Sequence, residues 1–405
     1  MSRIKRRALV ATGAAFALAP SIVRAQNKVD PGVTDKEIKL GHTNPYSGPL
    51  SAYGVIGKGI TAYWNMVNQG GINGRKINFI TYDDGFQPPK TVEMVRKLVE
   101  DDQVFAIYQL LGTPTNTVVQ KYLNQKKVPQ LFVATGASKW GMPKEFPWTM
   151  GWQPDYATEA AIYAKHILAN HKGEKIGMMY QNDDSGKDYL TGFQKGLGPE
   201  GIKQLVATAS YEVSDPTVDS QIIQLKDSGA TVFFNDAAPK AAAQAIRKVA
   251  DLGWKPAHYL ANVAASVAST LKPAGLDNST GIITAAYLKD PTDPQWATAA
   301  DFLEWKAWME KYVPMGNMSD ASYTYAYSVS ATMRHVLTEC GNELTRANLM
   351  KQAASMHDLV VPILLPGIRI NTSPTDFYPI QSVQLARFDG ETWKLFGDVL
   401  SSESS

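Results

Sequence analysis

Gly196-Leu197-Gly198-Pro199-Glu200-Gly201 matches the G-x-G-x-x-G pattern that cradles a dinucleotide pyrophosphate. That chemistry needs the glycines to follow a strand and open a helix. Here they follow a helical pattern and lead into a strand, which predicts a helix C-terminal stop. Gly186-Lys187 lacks the earlier glycine of a phosphate loop. His166 and His171 are five positions apart, so one helical face does not present both to a metal. The pairs Asp83-Asp84 and Asp183-Asp184 follow strands, but neither has a nearby histidine or third acid, and both are expected to be solvated loop residues. There is no G-x-S-x-G nucleophile elbow. Cys340 is the only cysteine, which excludes an intramolecular disulfide and a cysteine-rich zinc site. The residues therefore predict a protein that is not an enzyme and holds no cofactor or metal.

A chain of 405 residues exceeds one ordinary domain, and two lobes are expected. With 44% hydrophobic and 19% charged residues it has a globular composition. The formal charge of +2 depends on residues 1–25, which carry five basic residues and no acid. The remainder is mildly acidic, which argues against nucleic acid as a partner. Arg3, Lys5, Arg6 and Arg7 precede the apolar run Ala8–Ala19, and Val23-Arg24-Ala25 places small residues before a cleavage point at Gln26. Such a run suits a signal peptide and is shorter than the ~20 residues of a spanning helix. Residues 1–25 are thus expected to direct export to the periplasm. Arg6-Arg7 leaves the Sec and twin-arginine routes both open.

From Ile38 onward, β-rich runs alternate with helical patterns. Strands are expected at Ile38–His42, Ile77–Tyr82, Val104–Tyr108, Gln130–Val133, Ile176–Tyr180, Leu205–Ser210, Val232–Asn235, Tyr259–Asn262 and Ile282–Ala286. Seven helices are expected between Ala52 and Leu252. Several strands are apolar at nearly every position, as in parallel strands covered on both faces. The fold class is α/β, doubly wound. A faint echo links Ile77–Leu123 with Leu205–Leu252: strand, proline, helix, strand, proline, helix. It suggests two similarly wound lobes with a cleft between them. After Tyr287 come helices at Gln295–Tyr312, Ala321–Cys340 and Thr345–Ser355, then strands within Ile368–Val399 around a turn at Asp389-Gly390. These late elements are expected to complete the two sheets.

The stretch Ile38–Gly54, reading IKLGHTNPYSGPLSAYG, resembles the opening of type I periplasmic solute-binding proteins of the leucine/isoleucine/valine-binding group. Asn68–Lys76 and Tyr82-Asp83-Asp84 continue the likeness, which extends over Ile38–Val399. The resemblance implies two Rossmann-like lobes, 37–151 with 287–365 and 152–286 with 366–400. It places three crossings near Thr149–Gln153, Ala285–Leu288 and Leu365–Gly367. It also implies a monomer that passes a small solute to the membrane permease of an ATP-driven (ABC) importer.

Ligands of open α/β sheets bind outside the carboxyl ends of the strands. There Leu111-Gly112-Thr113 and Ala134-Thr135-Gly136 are small enough to let backbone donors reach an anion. In the family these two loops fix the ligand's carboxylate. Tyr53 falls where the family places a cleft aromatic. Ser185 and Ala237 stand where second-lobe aromatics are common, and Val263 stands where amino-acid binders have the acid that holds the ammonium. Asp236, ending a strand, is either the substitute for that acid or a solvated rim residue, and Trp152 at the first crossing either gives a flat apolar wall or packs in the crossover. The solute is therefore a branched-chain amino acid or an aromatic or aliphatic acid. Two other readings stay open at this level: a ligand-sensing partner of a signalling receptor, and a secreted α/β hydrolase.

Overall fold

The structure, a computed structural model, describes residues 29–401; the expected signal peptide lies outside them. The first sheet holds β1 (Glu37–Asn44), β2 (Lys76–Asp83), β3 (Ala106–Tyr108) and β4 (Gln130–Leu131), all parallel, in the order β2-β1-β3-β4. The second holds β5 (Ile176–Gln181), β6 (Leu205–Tyr211), β7 (Val232–Asp236), β8 (Ala257–Leu260), β9 (Ile283–Ala286), β10 (Ser382–Phe388) and β11 (Trp393–Ser401). Its order is β11-β10-β9-β8-β7-β5-β6, with β10 and β11 antiparallel and the rest parallel. β7 (VFFND) is buried at every position, as a strand roofed on both sides must be.

The helices follow the strands. They are α1 (Gly54–Val67), α2 (Pro88–Arg96), α3 (Thr113–Lys126), α4 (Tyr156–Asn170), α5 (Asp184–Gly201), α6 (Asp219–Asp227) and α7 (Pro239–Asp251). Prolines in the first turns of α2, α3 and α7 cost little, because those N–H groups have no helical acceptor. Asp155 caps α4 by accepting from Thr158 N–H, and Asp183 caps α5 by accepting from Ser185 and Gly186. The glycine-rich stretch interrupts α5: Gly198 takes φ +64° and the helical turn resumes at Pro199. The echo in the sequence corresponds to β2-α2-β3-α3 and β6-α6-β7-α7. The four strands β6-β5-β7-β8 repeat the winding of β2-β1-β3-β4.

Three expectations need adjustment. β3 starts two residues later than expected, and β4 ends at Leu131 because Phe132 takes positive φ and interrupts the ladder; a single bridge, Leu111 to Ala134, resumes it. The late elements do not add strands to both sheets. Helices Ala300–Tyr312 and Ala321–Glu339 pack on α1, where an added Cβ on Gly59 would lie 2.7 Å from Ala326, and only the second sheet gains strands. Ile368–Ile380 is not strand, and it is tied to first-sheet neighbours. Thr372 donates to Ala353 O (2.7 Å) and accepts from Met356 N–H (3.1 Å), and Tyr378 hydroxyl donates to Ser138 O. The chain runs between the sheets again at Tyr287–Lys289, which pairs antiparallel with Ile363–Leu365.

Candidate functional site

Each sheet reverses its winding at one point, between β1 and β3 and between β5 and β7, and such switch points open a crevice at the strand ends. Both open on one cavity of about 180 Å³. From the first sheet it receives Leu50, Tyr53, Leu111, Gly112, Thr113 and Ala134. From the second it receives Gln181, Ser185, Asp236, Ala237, Asn262 and Val263. Nine of the residues expected at the site thus share one cavity, while Thr135, Gly136 and Trp152 do not line it.

At the first-sheet end the wall is built to donate. Gly112 takes φ +96°, and a Cβ there would lie 2.2 Å from the Phe86 ring, so glycine is required for the turn into α3. This brings the start of α3, with its unpaired N–H groups and partial positive charge, onto the cavity at Thr113. Thr113 Oγ1 lies 2.6 Å from Thr135 Oγ1. Thr135 accepts from Ala137 N–H and from Trp140 Nε1–H, each at 3.3 Å. Either hydroxyl of the Thr113–Thr135 pair can donate to the other, and Tyr156 also hydrogen-bonds Thr135. Thr135 therefore acts one layer behind the wall. Gly136 serves packing: its carbonyl accepts from Tyr156 N–H (2.7 Å), and a Cβ would meet Pro154 O at 2.5 Å.

Trp152 is not a cavity wall. It is fully buried, its indole N–H donates to Thr332 Oγ1 (3.0 Å), and Tyr287 and Tyr325 meet its ring edge-on. A tryptophan with a partner for its N–H packs in the core as readily as it lines a site.

The second-sheet end is built to accept. Ser185 hydroxyl donates to Asp183, so toward the cavity it offers lone pairs. Asp236 is buried at 4% exposure and, among the described residues, nothing donates to its Oδ2. Burial, with Asp183 and Glu159 nearby, raises its pKa well above the usual carboxylate range. Val263 offers no charge, and its carbonyl accepts the Tyr53 hydroxyl at 2.9 Å, joining the two sheets' loops. Behind this wall Glu159 is buried and accepts from Asn262 N–H (2.8 Å), Tyr163 (2.8 Å) and Tyr189 (2.9 Å). Burial outweighs these bonds and pushes its carboxyl up to about 7. Tyr189 in turn stacks on Tyr156, ring centroids 4.4 Å apart, and both rings line the cavity.

Tyr156, Tyr189, Gln181, Asn262 and Phe86 are cavity residues that the sequence reading missed. For Tyr156 a signal existed: it follows the capping Asp155 just after the first crossing. Of the acid pairs, Asp84 is buried, accepting from Thr43 and Thr91 (2.9 Å each), and is not solvated. Asp184 meets Lys139 at 2.8 Å, and Ser138 donates to Asp188 from its N–H (2.7 Å) and hydroxyl (2.9 Å). On the other side Ser266 donates to Asp320 at 3.1 Å. The two halves are thus closed on the cavity. Among the described residues no cluster of three or more His, Cys, Asp or Glu is placed to hold a metal, and no helix is long and apolar enough to cross a membrane.

Two similarly wound lobes meeting at a shared cleft define the type I binding-protein architecture. A profile of the periplasmic binding protein family matches residues 37–392, and the chain belongs to that family. Among curated relatives, Leu/Ile/Val-binding protein homolog 1 of Brucella abortus is 27% identical over 225 residues, which cover 54% of this chain and 59% of that one. The chain thus matches little more than half the length of that relative. A branched chain amino acid ABC transporter structure from Thermus thermophilus with bound valine aligns with a TM-score of 0.81 at 14% identity, covering 90% of this chain and 97% of that one. The fatty acid ABC transporter substrate-binding protein from Thermomonospora curvata aligns with a TM-score of 0.76 at 22% identity, covering 93% and 95%. These two likenesses show the fold.

Proposed function

We propose that the chain is the exported solute-binding component of an ATP-driven importer. It captures a small carboxylate-bearing solute between its lobes in the periplasm and passes it to a membrane permease. The observation that carries this reading is the first-sheet end of the cavity, where the start of α3 and the Thr113 hydroxyl meet the void. The names of the two solved neighbours point the same way, since valine and fatty acids share only a carboxylate on an apolar body. Calorimetry with matched acids and primary amides tests it. Each acid should bind at least tenfold more tightly than its amide, and Thr113→Val should erase most of that difference. Equal binding of acids and amides would overturn the reading.

A second reading, an amino acid, is favoured by Asp236. A buried carboxylate with an unpartnered oxygen is costly unless it is protonated or meets a cation. An α-ammonium would supply that cation from a position the family does not use. Leucine against its 2-oxo acid decides this. Tighter binding of leucine, lost in Asp236→Asn, supports an amino acid; tighter binding of the oxo acid supports a plain carboxylate.

A further inference from the structure

The cavity is longer than a small amino acid needs. Beyond the two switch points it is also lined by Thr284, Ala386 and Leu395. These form one register row across β9, β10 and β11, Thr284 opposite Ala386 and Ala386 opposite Leu395. From Ala237 at the end of β7 to Leu395 on β11 the lining crosses four strand spacings. At ~4.8 Å each this is about 19 Å. An extended chain advances about 1.2 Å per bond, so leucine spans only about 6 Å from carboxylate oxygen to methyl.

Several polar groups along this arm are already engaged, while Tyr287, Ser322 and Asp293 also line the cavity. Trp393 indole N–H donates to Ala265 O at 2.8 Å, and Ser266 donates to Asp320 at 3.1 Å. Lys289 is neutralised by Asp301 at 2.6 Å. What remains toward the void is mainly aliphatic: Ala265, Ala286, Leu288, Leu365, Ala386 and Leu395. Asp290 lies toward the far end, where Thr292 N–H donates to it at 2.9 Å. A wall of this kind takes an uncharged alkyl or aryl body.

We infer that this arm holds the tail of an elongated monocarboxylate, an alkyl or arylalkyl acid of about eight carbons or more. The inference rests on the carboxylate reading above and adds the body of the ligand to it. Calorimetry of the mature protein with butanoate, hexanoate, octanoate and decanoate is the test. Affinity should rise about fourfold per added methylene, or roughly 250-fold from butanoate to octanoate. Ala286→Phe fills the arm where it leaves β9, and Ala265→Leu narrows it beside Trp393. Either should cut the octanoate-to-butanoate ratio at least tenfold, whereas Thr113→Val should weaken all lengths by a common factor. A plateau at five carbons in the unsubstituted protein would overturn the arm and leave the carboxylate reading intact. A ratio unchanged in both variants, each melting cooperatively, would do the same. Failure of every acid to bind would overturn both.

Discussion

Glu159 ties the stability of this protein to pH in a way that one substitution should isolate. Its carboxyl is buried on α4 among Tyr163, Tyr189 and Asn262, and burial raises it from the ordinary 4.5 to about 7. A carboxyl raised in the folded state favours folding while protonated. That stability is fully present below about pH 4.5 and is lost as pH rises through 7. Linkage over those two values gives a loss of about 2.5 kcal/mol between pH 5 and pH 8. For a chain of this size unfolding as one unit, that is about 3 °C in melting temperature. Glu159→Gln keeps an acceptor for Asn262 and Tyr163, offers an N–H to the Tyr189 hydroxyl, and cannot ionise. Melting curves of both proteins in matched buffers from pH 5 to pH 8 should therefore diverge, with the variant losing about 3 °C less. Asp236 and Asp290 also have raised carboxyls, but they titrate in both proteins and largely cancel in the comparison. Parallel pH profiles would refute the reasoning, because they would mean that Glu159 carries the same charge folded and unfolded over that range.

Asp236→Asn should raise the melting temperature of ligand-free protein, and by more at pH 8 than at pH 5, because the cost of the raised carboxyl begins as pH passes the ordinary carboxylate value and grows until the folded group ionises; scanning calorimetry at both values checks this, and an equal shift at the two would refute it. Gly112→Ala should destabilise by about 1–3 kcal/mol through the positive φ alone, with the Phe86 ring adding to it, and should abolish binding of whatever ligand the site takes; chemical denaturation and calorimetry read the two effects. A cognate solute at about 100 times its dissociation constant should stabilise the protein by roughly 2.7 kcal/mol. Small-angle scattering should show the molecule contracting with it, and unchanged dimensions alongside a raised melting temperature would rule out lobe closure.

Much of the frame was legible because parallel strands roofed on both sides have few ways to be written. Runs such as Ile176–Tyr180 and Val232–Asn235 are apolar without alternation, and prolines mark the helix starts after them. The Gly112-Thr113 turn was legible as a cavity position for a physical reason, since small residues there let the backbone come close to whatever fills the space. What was missed depends on direction, which spacing does not encode. Trp152 sits at a crossing and can turn either way; Thr332, 180 positions along the chain, settles it inward. Glu159 reads in sequence as an ordinary early acid on a helix, and only the approach of Asn262 and Tyr189 makes it a buried support. Ile368–Ile380 has strand-like residues, but its backbone makes only isolated bridges, Ile370 to Leu359 and Ser373 to Asp376, so no ladder forms.

The repeated winding has a consequence for how a ligand lies. The turns β3–α3 and β7–α7 are counterparts in the two sheets, and both open on the same cavity. One ends in Gly112-Thr113 and presents the N–H groups of a helix start; the other ends in Asp236-Ala237 and presents an unsatisfied oxygen. A near-symmetric frame therefore carries two unlike poles. On the carboxylate reading proposed above, a solute with one electron-rich end would have a single favourable way round, head against the first lobe. If the lobes part as the proposed function requires, that head would stay with one half, and the solute would be handed over in a fixed orientation.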